Sequence, residues 1–366
     1  MKIVIALDSY KGSISSTAAA DALASGLHSV APDAEIAELT LADGGEGSLE
    51  AFAAAWNAEI FSVPAHDALM NPVEGKFAVS GTTAIVELAQ ICGLAQLGNG
   101  KSPLKATTFG FGEAILHAVK RGAKRIICCI GGSASTDGGM GMFQALGGVI
   151  RHKNGTRFAD GIGGGGLADI AGIDSTILKR NLAGIEVITA SDVISPLYGK
   201  SGAAWVFAPQ KGADESMVTA LDGGLRHLST IAGDTAQTPG DGAAGGVGFA
   251  LRCFAGARTV SGAELLLDAL DFDRRLNGAD FVMTGEGRSD SQTLQGKLPF
   301  KVLEAAKRQN IPVILVSGAI VDRDLLERHF AGVYAVTPEG MPLAEALRRS
   351  AENLFNFGRD WMKQRR

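Results

Sequence analysis

The stretch KIVIALD, residues 2–8, decides the fold class of the N-terminal region. Its apolar part, Ile3–Leu7, is rich in β-branched residues and shows no polar alternation, which is typical of a buried parallel strand. The run ends at Asp8, and beyond it Leu23 and Leu27 are spaced as on the buried face of a helix. The chain is therefore predicted to begin with a strand followed by a helix.

The same alternation continues beyond this stretch. Glu35–Leu41 is predicted as a second strand, Ala42–Ser48 as a glycine-rich turn, and the segment that follows, through Trp56, as a second helix. This β-α-β-α order is characteristic of a parallel sheet with helices on its faces. We therefore expect an α/β fold.

The middle of the chain has a more mixed pattern. Val73–Val79 and Thr83–Leu88 are predicted as paired strands, joined by a short polar turn. From Ala279 the α/β rhythm returns, with helices predicted over Asp322–Phe330 and from Leu343 onward. The two ends of the chain thus share one pattern, and the middle has another.

A chain of 366 residues is typical of two domains. We predict a Rossmann-like parallel-sheet domain built from residues 1–64 plus 280–366, with a second, mixed α/β domain of residues 65–279 inserted into it. Because ligands commonly bind where domains meet, the active site is expected in the cleft between the two.

Charge and composition exclude several classes of protein. The 34 basic and 39 acidic residues give a net charge of −5 and form no basic stripe, so nucleic acid is not an expected partner. No run reaches the roughly 20 apolar residues of a membrane span, and none resembles a signal peptide, which predicts a cytoplasmic protein without a membrane partner. The four cysteines form no C-x-x-C pair and are expected to be buried free thiols. The six histidines form no zinc-ligand pattern.

Two nucleotide-binding patterns occur as letters but lack the required context. Gly161-x-Gly163-x-x-Gly166 follows a polar segment, whereas a dinucleotide site needs a strand before the glycines. Gly100-Lys101-Ser102 resembles the end of a P-loop, but Ala95 stands where the leading glycine should be. Both patterns are interpreted as ordinary loops.

Two candidate ligand-binding turns follow the first two strands. In DSYKGS, residues 8–13, Lys11 offers a mobile positive charge, and Ser9 and Ser13 offer hydroxyls. The alternative is a capped helix with a surface lysine. In ADGGEGS, residues 42–48, the helix-start amides favour an anion. The candidates there are Asp43, Gly44, Gly45 and Glu46, although Asp43 and Glu46 could instead cap the helix.

Three further turns follow predicted strands. Gly131, Gly132 and Ser133 begin the GGSASTDGG segment, which is a plausible phosphate or carboxylate nest or else a plain tight turn. Asp192 lies just after Glu186–Ala190, where a carboxylate can accept a proton, hold Mg²⁺, or cap a helix. The third turn, TGEGRSDSQ at residues 284–292, contains Glu286, Arg288 and Asp290, which can bind a ligand or form a structural ion pair.

Together these turns supply anion-binding backbone, cations and carboxylates. Because the carboxyl ends of parallel strands meet at one sheet edge, the turns are expected to converge. The mixture is typical of Mg²⁺-assisted phosphoryl transfer, in which catalysis consists mainly of positioning and charge stabilisation.

An ordered series of motifs along nearly the whole chain resembles the bacterial type I glycerate kinases. The matching segments are DSYKGS (8–13), LADGGEGS (41–48), TTFGFGEAI (107–115), GGSASTDGG (131–139), SDVISPLYG (191–199), FAPQKGA (207–213), PGDGAAGGVG (239–248) and TGEGRSDSQTLQGK (284–297). The resemblance implies two α/β domains, the cofactors ATP and Mg²⁺, and D-glycerate as substrate. It also implies that the 2-hydroxyl is phosphorylated, giving 2-phosphoglycerate and ADP.

The resemblance, combined with the candidate turns, leads to provisional roles. Lys11 would neutralise charge on the transferring phosphoryl group, and Asp192 would orient or deprotonate the 2-hydroxyl. The substrate carboxylate would bind Arg288 or the Gly131–Ser133 amides. Asp43 or Asp290 would hold Mg²⁺.

Several alternatives stay open at the level of sequence. The enzyme could form 3-phosphoglycerate or act on a related small hydroxy acid. A nicotinamide-dependent oxidoreductase would need a strand-linked G-x-G-x-x-G, which is missing. A non-catalytic anion-binding protein would bind glycerate without consuming ATP. The sequence does not distinguish a monomer from a homodimer.

Overall fold

The structure, a computed structural model, describes residues 1–365. The strands, in chain order, are β1 Lys2–Leu7, β2 Glu35–Glu38, β3 Glu59–His66, β4 Pro72–Ser80, β5 Thr83–Glu87, β6 Arg125–Cys129, β7 Val149–His152, β8 Ile170–Asp174, β9 Glu186–Ala190, β10 Arg258–Val260, β11 Phe281–Gly285, β12 Arg288–Ser289, β13 Val313–Ser317, β14 Ala319–Ile320 and β15 Gly332–Ala335.

Fifteen α-helices accompany these strands within the described residues. They are α1 Ser16–His28, α2 Ser48–Trp56, α3 Ala89–Cys92, α4 Phe109–Lys120, α5 Met140–Ala145, α6 Thr176–Asn181, α7 Ala203–Phe207, α8 Glu215–Ala232, α9 Val247–Ala255, α10 Gly262–Ala269, α11 Phe272–Arg275, α12 Leu298–Arg308, α13 Arg323–Leu326, α14 Leu343–Arg348 and α15 Ser350–Lys363. In this part of the chain no helix is both long and apolar enough to cross a membrane.

The described chain forms two compact units. Unit 1 consists of Met1–Asp43 with Ala263–Arg366, and unit 2 consists of Gly44–Gly262. The division predicted from the sequence, residues 1–64 plus 280–366 and 65–279, stays a prediction.

Unit 1 is built on a five-stranded parallel sheet in the order β15-β13-β11-β1-β2. Ile3–Leu7 of β1 is fully buried, as the apolar run predicted. Helix α1 contacts the C-terminal helix α15 closely, because Gly26 and Gly358 bring the two backbones together. The first strand and the last helix therefore belong to the same core.

Unit 2 contains a six-stranded mixed sheet in the order β10-β9-β6-β5-β4-β3. The predicted strand pair is confirmed, with β4 antiparallel to β5, while β5, β6, β9 and β10 run parallel to one another. The α/β fold class with one parallel and one mixed sheet is confirmed. Cys92, Cys128 and Cys129 are buried free thiols, as expected, and Cys253 is half-buried.

Two helices near the C-terminus differ from the prediction. The helix expected over Asp322–Phe330 is a single turn, Arg323–Leu326, preceded by Asp322 in a left-handed conformation with φ of 49°. The helix expected from Leu343 onward is divided into α14 and α15. At the division, the hydroxyl of Ser13 donates to the Leu347 carbonyl at 2.6 Å, a contact from a distant segment that no local pattern reveals.

Candidate active site

In unit 1, polar loops follow two neighbouring strands at the same edge of the sheet. Strands β1 and β11 are parallel partners, so the residues that follow them, Asp8 and Glu286, lie at that edge. Gly287 approaches the backbone of Tyr10 and Lys11. A Cβ added to Gly287 would lie 3.5 Å from the backbone nitrogen of Lys11. The DSYKGS and TGEGRSDS loops are therefore adjacent, as the strand-exit argument predicted.

Asp8 is the buried carboxylate of this edge, with 5% of its surface exposed. Its Oδ1 accepts a hydrogen bond from the Ser9 amide at 2.7 Å. Burial, together with the negative charges of Asp43 and Glu286, raises the pKa of Asp8 to about 8, although Lys11 and the Ser9 amide oppose the shift. A buried acid that repels its neighbours is an environment that favours a bound cation.

Lys11 and Asp43, both predicted site residues, form an ion pair. The Lys11 Nζ lies 2.9 Å from Asp43 Oδ2, and 71% of the lysine side chain is exposed. Asp43 is the main cause that raises the pKa of Lys11 above its ordinary value. Because exposed ion pairs contribute little to stability, Lys11 can exchange Asp43 for a phosphate group at small cost.

Glu286 is also largely buried and already has partners. Its Oε1 accepts hydrogen bonds from Thr293 Oγ1 at 2.7 Å and from Ser289 Oγ at 3.2 Å, and Lys297 donates to Oε2 at 3.1 Å. These bonds hold the loop after β11 in a fixed shape. Glu286 is therefore suited to positioning this loop and to adding negative potential near Asp8.

The other predicted residues of unit 1 serve different purposes. Asp290 is a helix cap, since its Oδ1 accepts the Gln292 amide at 3.0 Å. Arg288 is exposed, and its Nε lies 3.8 Å from Asp290 Oδ2. Ser13 donates to Leu347, as described above, and its Oγ lies 2.7 Å from Ser350 Oγ. Ser13 and Asp290 thus have structural partners, while Arg288 presents its guanidinium to solvent.

In unit 2, three of the predicted segments meet through close backbone contacts. The Gly131 amide donates to the Gly44 carbonyl at 2.9 Å. A Cβ on Gly131 would lie 2.6 Å from the Gly45 Cα, and one on Gly44 would lie 2.6 Å from the Ala190 carbonyl oxygen. Glycine is required at these positions because any side chain would collide with neighbouring backbone.

Strand pairing places Asp192 at the same edge of the unit 2 sheet. Strands β6 and β9 are parallel partners, and Cys129 lies opposite Ala190. Gly131 follows Cys129 by two residues and Asp192 follows Ala190 by two, so both lie at the same edge of the sheet. Asp192 is half-buried. In the same loop as Gly131, Gly132 is exposed with φ of 76°, and Ser133 is buried. The predicted anion-binding loop and the predicted base thus follow adjacent strands.

The helix-start amides of α2 bind an internal carboxylate. Glu87, only 1% exposed, accepts hydrogen bonds from the amides of Gly47 at 3.2 Å and Leu49 at 2.8 Å. Burial raises the pKa of Glu87 to about 8, opposed by these two amides. The amides that were predicted to bind a ligand anion are therefore occupied by Glu87, while Glu46 is exposed to solvent.

A buried lysine lies beneath the Gly131–Ser133 loop. Lys211, 2% exposed, donates to Ser133 Oγ at 2.9 Å and to the Ser135 carbonyl. Two hydroxyls of the same segment, Ser135 Oγ and Thr136 Oγ1, are buried and make no hydrogen bond with any described residue. Unsatisfied buried hydroxyls cost about 1–3 kcal/mol each, so this segment is held together at some energetic cost.

Sequence reasoning missed three charged residues that the structure places at these two edges. Asp8 belonged to a quoted motif but was not selected, although a carboxylate directly after a buried strand was the available signal. Glu87 was visible as one acid within the apolar run Thr83–Leu88. Lys211 lies in FAPQKGA, and no local feature marks it as buried beneath a loop almost 80 residues away.

The charges divide between the units. Unit 1 gathers Asp8, Asp43 and Glu286, a set that favours cations, with Lys11 beside them. Unit 2 offers loop amides, hydroxyls and Lys211, a set that favours an anion, with Asp192 on the next strand. Within residues 1–365, no three His, Cys, Asp or Glu side chains are arranged to hold a metal ion among themselves.

Comparison with known proteins gives a consistent result. Residues 3–365 match the model of the glycerate kinase family. The chain is 40% identical to the glycerate kinase of Bacillus subtilis (strain 168), over 98% of this chain and 96% of that protein. It is 39% identical to the glycerate 2-kinase of Escherichia coli (strain K12), over 98% and 97%. A crystal structure of a glycerate kinase 2 from Salmonella typhimurium LT2 superposes with a TM-score of 0.80 at 41% identity, covering 100% of this chain and 98% of that one.

Proposed function

This chain belongs to the glycerate kinase family, and we propose that it transfers the γ-phosphoryl group of ATP to the 2-hydroxyl of D-glycerate. As an enzyme of this family it is an ATP-dependent kinase with an alcohol as phosphoryl acceptor. The choice of the 2-hydroxyl is supported by the name of the Escherichia coli relative, a glycerate 2-kinase. The products would be 2-phospho-D-glycerate and ADP.

The carboxylates of unit 1 fit a divalent cation. Asp8 and Asp43 are neighbours whose repulsion contributes to the raised pKa of Asp8, and a cation would relieve it. Because Mg²⁺ is usually held by one or two carboxylates together with phosphate oxygens, these two residues would be enough on the protein side. When bound, Mg²⁺ would neutralise charge on the phosphates of ATP. Asp290, the other predicted ligand, is the weaker candidate because it caps a helix.

Lys11 is the candidate for stabilising charge on the transferring phosphoryl group. Its ammonium is mobile, exposed, and kept protonated by Asp43. A positive charge aimed at oxygens that carry the transition-state charge lowers the barrier without any covalent step. Lys11 therefore acts in this proposal as an electrostatic catalyst.

The acceptor groups lie in unit 2. The Gly131–Ser133 amides would bind the glycerate carboxylate, with Arg288 of unit 1 as the alternative partner. Asp192 would orient the 2-hydroxyl and accept its proton as the oxygen attacks the γ-phosphorus and the bond to ADP breaks. The observation that carries the proposal is that Asp192 and this loop follow adjacent strands at one sheet edge.

Phosphorus NMR of the protein with D-glycerate and MgATP tests the proposal directly. We expect ATP to be converted to ADP as the resonance of 2-phosphoglycerate grows. A 3-phosphoglycerate resonance would refute the position of transfer while leaving the kinase activity intact. If ATP is unchanged with D-glycerate but consumed with tartronate or another hydroxy acid, the substrate assignment is wrong.

A further inference from the structure

Lys211 is a buried ammonium whose hydrogen-bond partners are both uncharged. It ends the short 3₁₀ turn Pro209–Lys211 and is 2% exposed. Its Nζ donates to Ser133 Oγ at 2.9 Å and to the Ser135 carbonyl. Lysine is rarely buried this deeply unless a carboxylate accompanies it, so the missing counter-charge needs an explanation.

The nearest candidate for a counter-charge, Asp137, is already occupied. Its fully buried carboxylate accepts hydrogen bonds from the amide and hydroxyl of Thr108 and from the amides of Gly139 and Gly141. Asp137 attracts Lys211 electrostatically but forms no ion pair with it within 4.0 Å. Along residues 1–365, no carboxylate lies within that distance of the Lys211 Nζ.

The other titratable groups around Lys211 add no negative charge. Cys92 lies next to the Ser133–Ser135 segment, since its backbone carbonyl accepts the Ala134 amide. Burial raises the pKa of the Cys92 thiol to about 12, so this thiol is neutral. Lys101 donates to the Gln210 carbonyl from the exposed side of the same turn. Burial lowers the pKa of Lys211 to about 7, and the attraction of Asp137 only partly offsets this.

Resting on the function proposed above, we propose that Lys211 is the positioning cation of an oxyanion site at Gly131–Ser133, acting through the Ser133 hydroxyl. The Ser133 oxygen accepts from the Lys211 ammonium, which leaves its own proton free to be donated to a ligand. An oxyanion there, either the substrate carboxylate or a nucleotide phosphate, supplies the counter-charge that Lys211 lacks. In a buried site this attraction is stronger than it would be in water.

The arrangement couples ligand binding to protonation. Neutral Lys211 attracts an oxyanion less than charged Lys211 does, so affinity falls as the pH rises through about 7. Conversely, a bound oxyanion stabilises the ammonium and raises its pKa. Binding at a pH where part of the Lys211 population is neutral therefore takes up protons.

Steady-state kinetics of Lys211→Met, with Lys101→Met as the matched control, tests the role and identifies the ligand. At pH 6.5 we expect a KM about 10-fold or more higher in Lys211→Met, and an unchanged KM in the control. A higher KM for D-glycerate assigns the carboxylate, and a higher KM for ATP assigns a phosphate. Lys211→Arg, which stays charged, should retain affinity and lose the pH dependence. If both KM values of Lys211→Met equal those of the wild type at every pH between 6 and 8.5, the proposal is wrong.

Calorimetry separates this inference from the proposed function. Binding of D-glycerate and of ATP is measured at pH 7.5 in two buffers of different ionisation enthalpy, for the wild type and Lys211→Met. We expect the wild type to take up more protons than the variant with one of the two ligands. Binding without that difference overturns the role of Lys211, whereas absence of glycerate binding and of product overturns the proposed function. Should Lys211→Met fail to fold, Ser133→Ala replaces it and is expected to abolish the same uptake.

Discussion

The carboxyl edges of the two sheets occupy the same topological position but differ in chemistry. At the unit 1 edge, Asp8 is a buried acid beside two further carboxylates, and Lys11, which pairs with Asp43, is exposed. At the unit 2 edge, the ammonium of Lys211 is buried beneath a glycine loop. In both cases burial shifts the pKa toward the neutral form, upward for Asp8 and downward for Lys211. One edge therefore favours a cation and the other an anion, which is the division that a metal-assisted kinase for an acidic substrate requires.

The two edges also differ in how tightly their loops are packed. Gly12, in the loop after β1, has φ of 78° and open space where a Cβ would lie, while Gly131 touches the backbone of Gly45. An added side chain would therefore meet no neighbour at Gly12, whereas at Gly131 it would meet backbone. A strand exit thus sets where a loop lies, whereas the contacts of the loop decide its charge preference and its rigidity.

The largest expected effect comes from the mobile charge of unit 1. Lys11→Met should lower kcat by about 10²–10³-fold, because the transferring phosphoryl group loses a stabilising cation. The rate is measured at saturating ATP and D-glycerate, so that it reports kcat alone. The control is Lys307→Met, which changes an exposed lysine of the same unit. An unchanged kcat with a raised KM for ATP would reduce Lys11 to a binding residue.

Asp192 provides the corresponding test in unit 2. Asp192→Asn should lower kcat by about 10²-fold, because asparagine cannot accept the proton of the 2-hydroxyl. Asp160→Asn, an exposed aspartate of the same unit, serves as the matched variant and should behave like the wild type. Equal kcat values for the two variants would remove the general-base role.

The difference in packing predicts unequal costs for the same substitution. Gly131→Ala should destabilise the protein by about 3 kcal/mol, because its Cβ meets backbone that cannot move aside. Gly12→Ala should cost about 1 kcal/mol, which is the strain of a left-handed conformation alone. Urea unfolding of both variants measures the difference, and equal losses would show that the two loops are equally constrained.

A further effect, which depends on pH, concerns the buried acid Asp8. The pKa of Asp8 is about 8 in the folded protein, so stability is lost as the pH rises from about 4, where the unfolded chain ionises, to about 8. Asp8→Asn keeps the acceptor for the Ser9 amide and removes this penalty. Its free energy of unfolding should match that of the wild type near pH 4 and exceed it by a margin that grows as the pH rises to about 8.

Adding Mg²⁺ tests whether Asp8 is also a metal ligand. A cation bound at Asp8 and Asp43 favours the ionised acid, so adding MgCl₂ at pH 8 should raise the melting temperature of the wild type more than that of Asp8→Asn. Asp33→Asn, an exposed aspartate of unit 1, controls for general effects of the substitution. Identical responses in all three proteins would contradict a metal site at Asp8.

The sequence by itself determined the α/β class, the family and the strand exits from which ligand-binding loops emerge. These properties follow from local patterns: an apolar run such as Ile3–Leu7, a helical spacing, and motifs that keep their order along the chain. It also placed Lys11 and Asp43 on loops of neighbouring strands, since parallel topology brings strand ends together.

Only the tertiary structure decided which charges are buried and which partners they have. Glu87 caps α2 from another strand, Ser13 binds the junction of α14 and α15, and Lys211 reaches Ser133 across 78 positions of sequence. Protonation depends on burial and on charges within a few ångströms, and these distances are set by segments far apart in the chain. For that physical reason the chemistry of each sheet edge emerged only once the chain was folded.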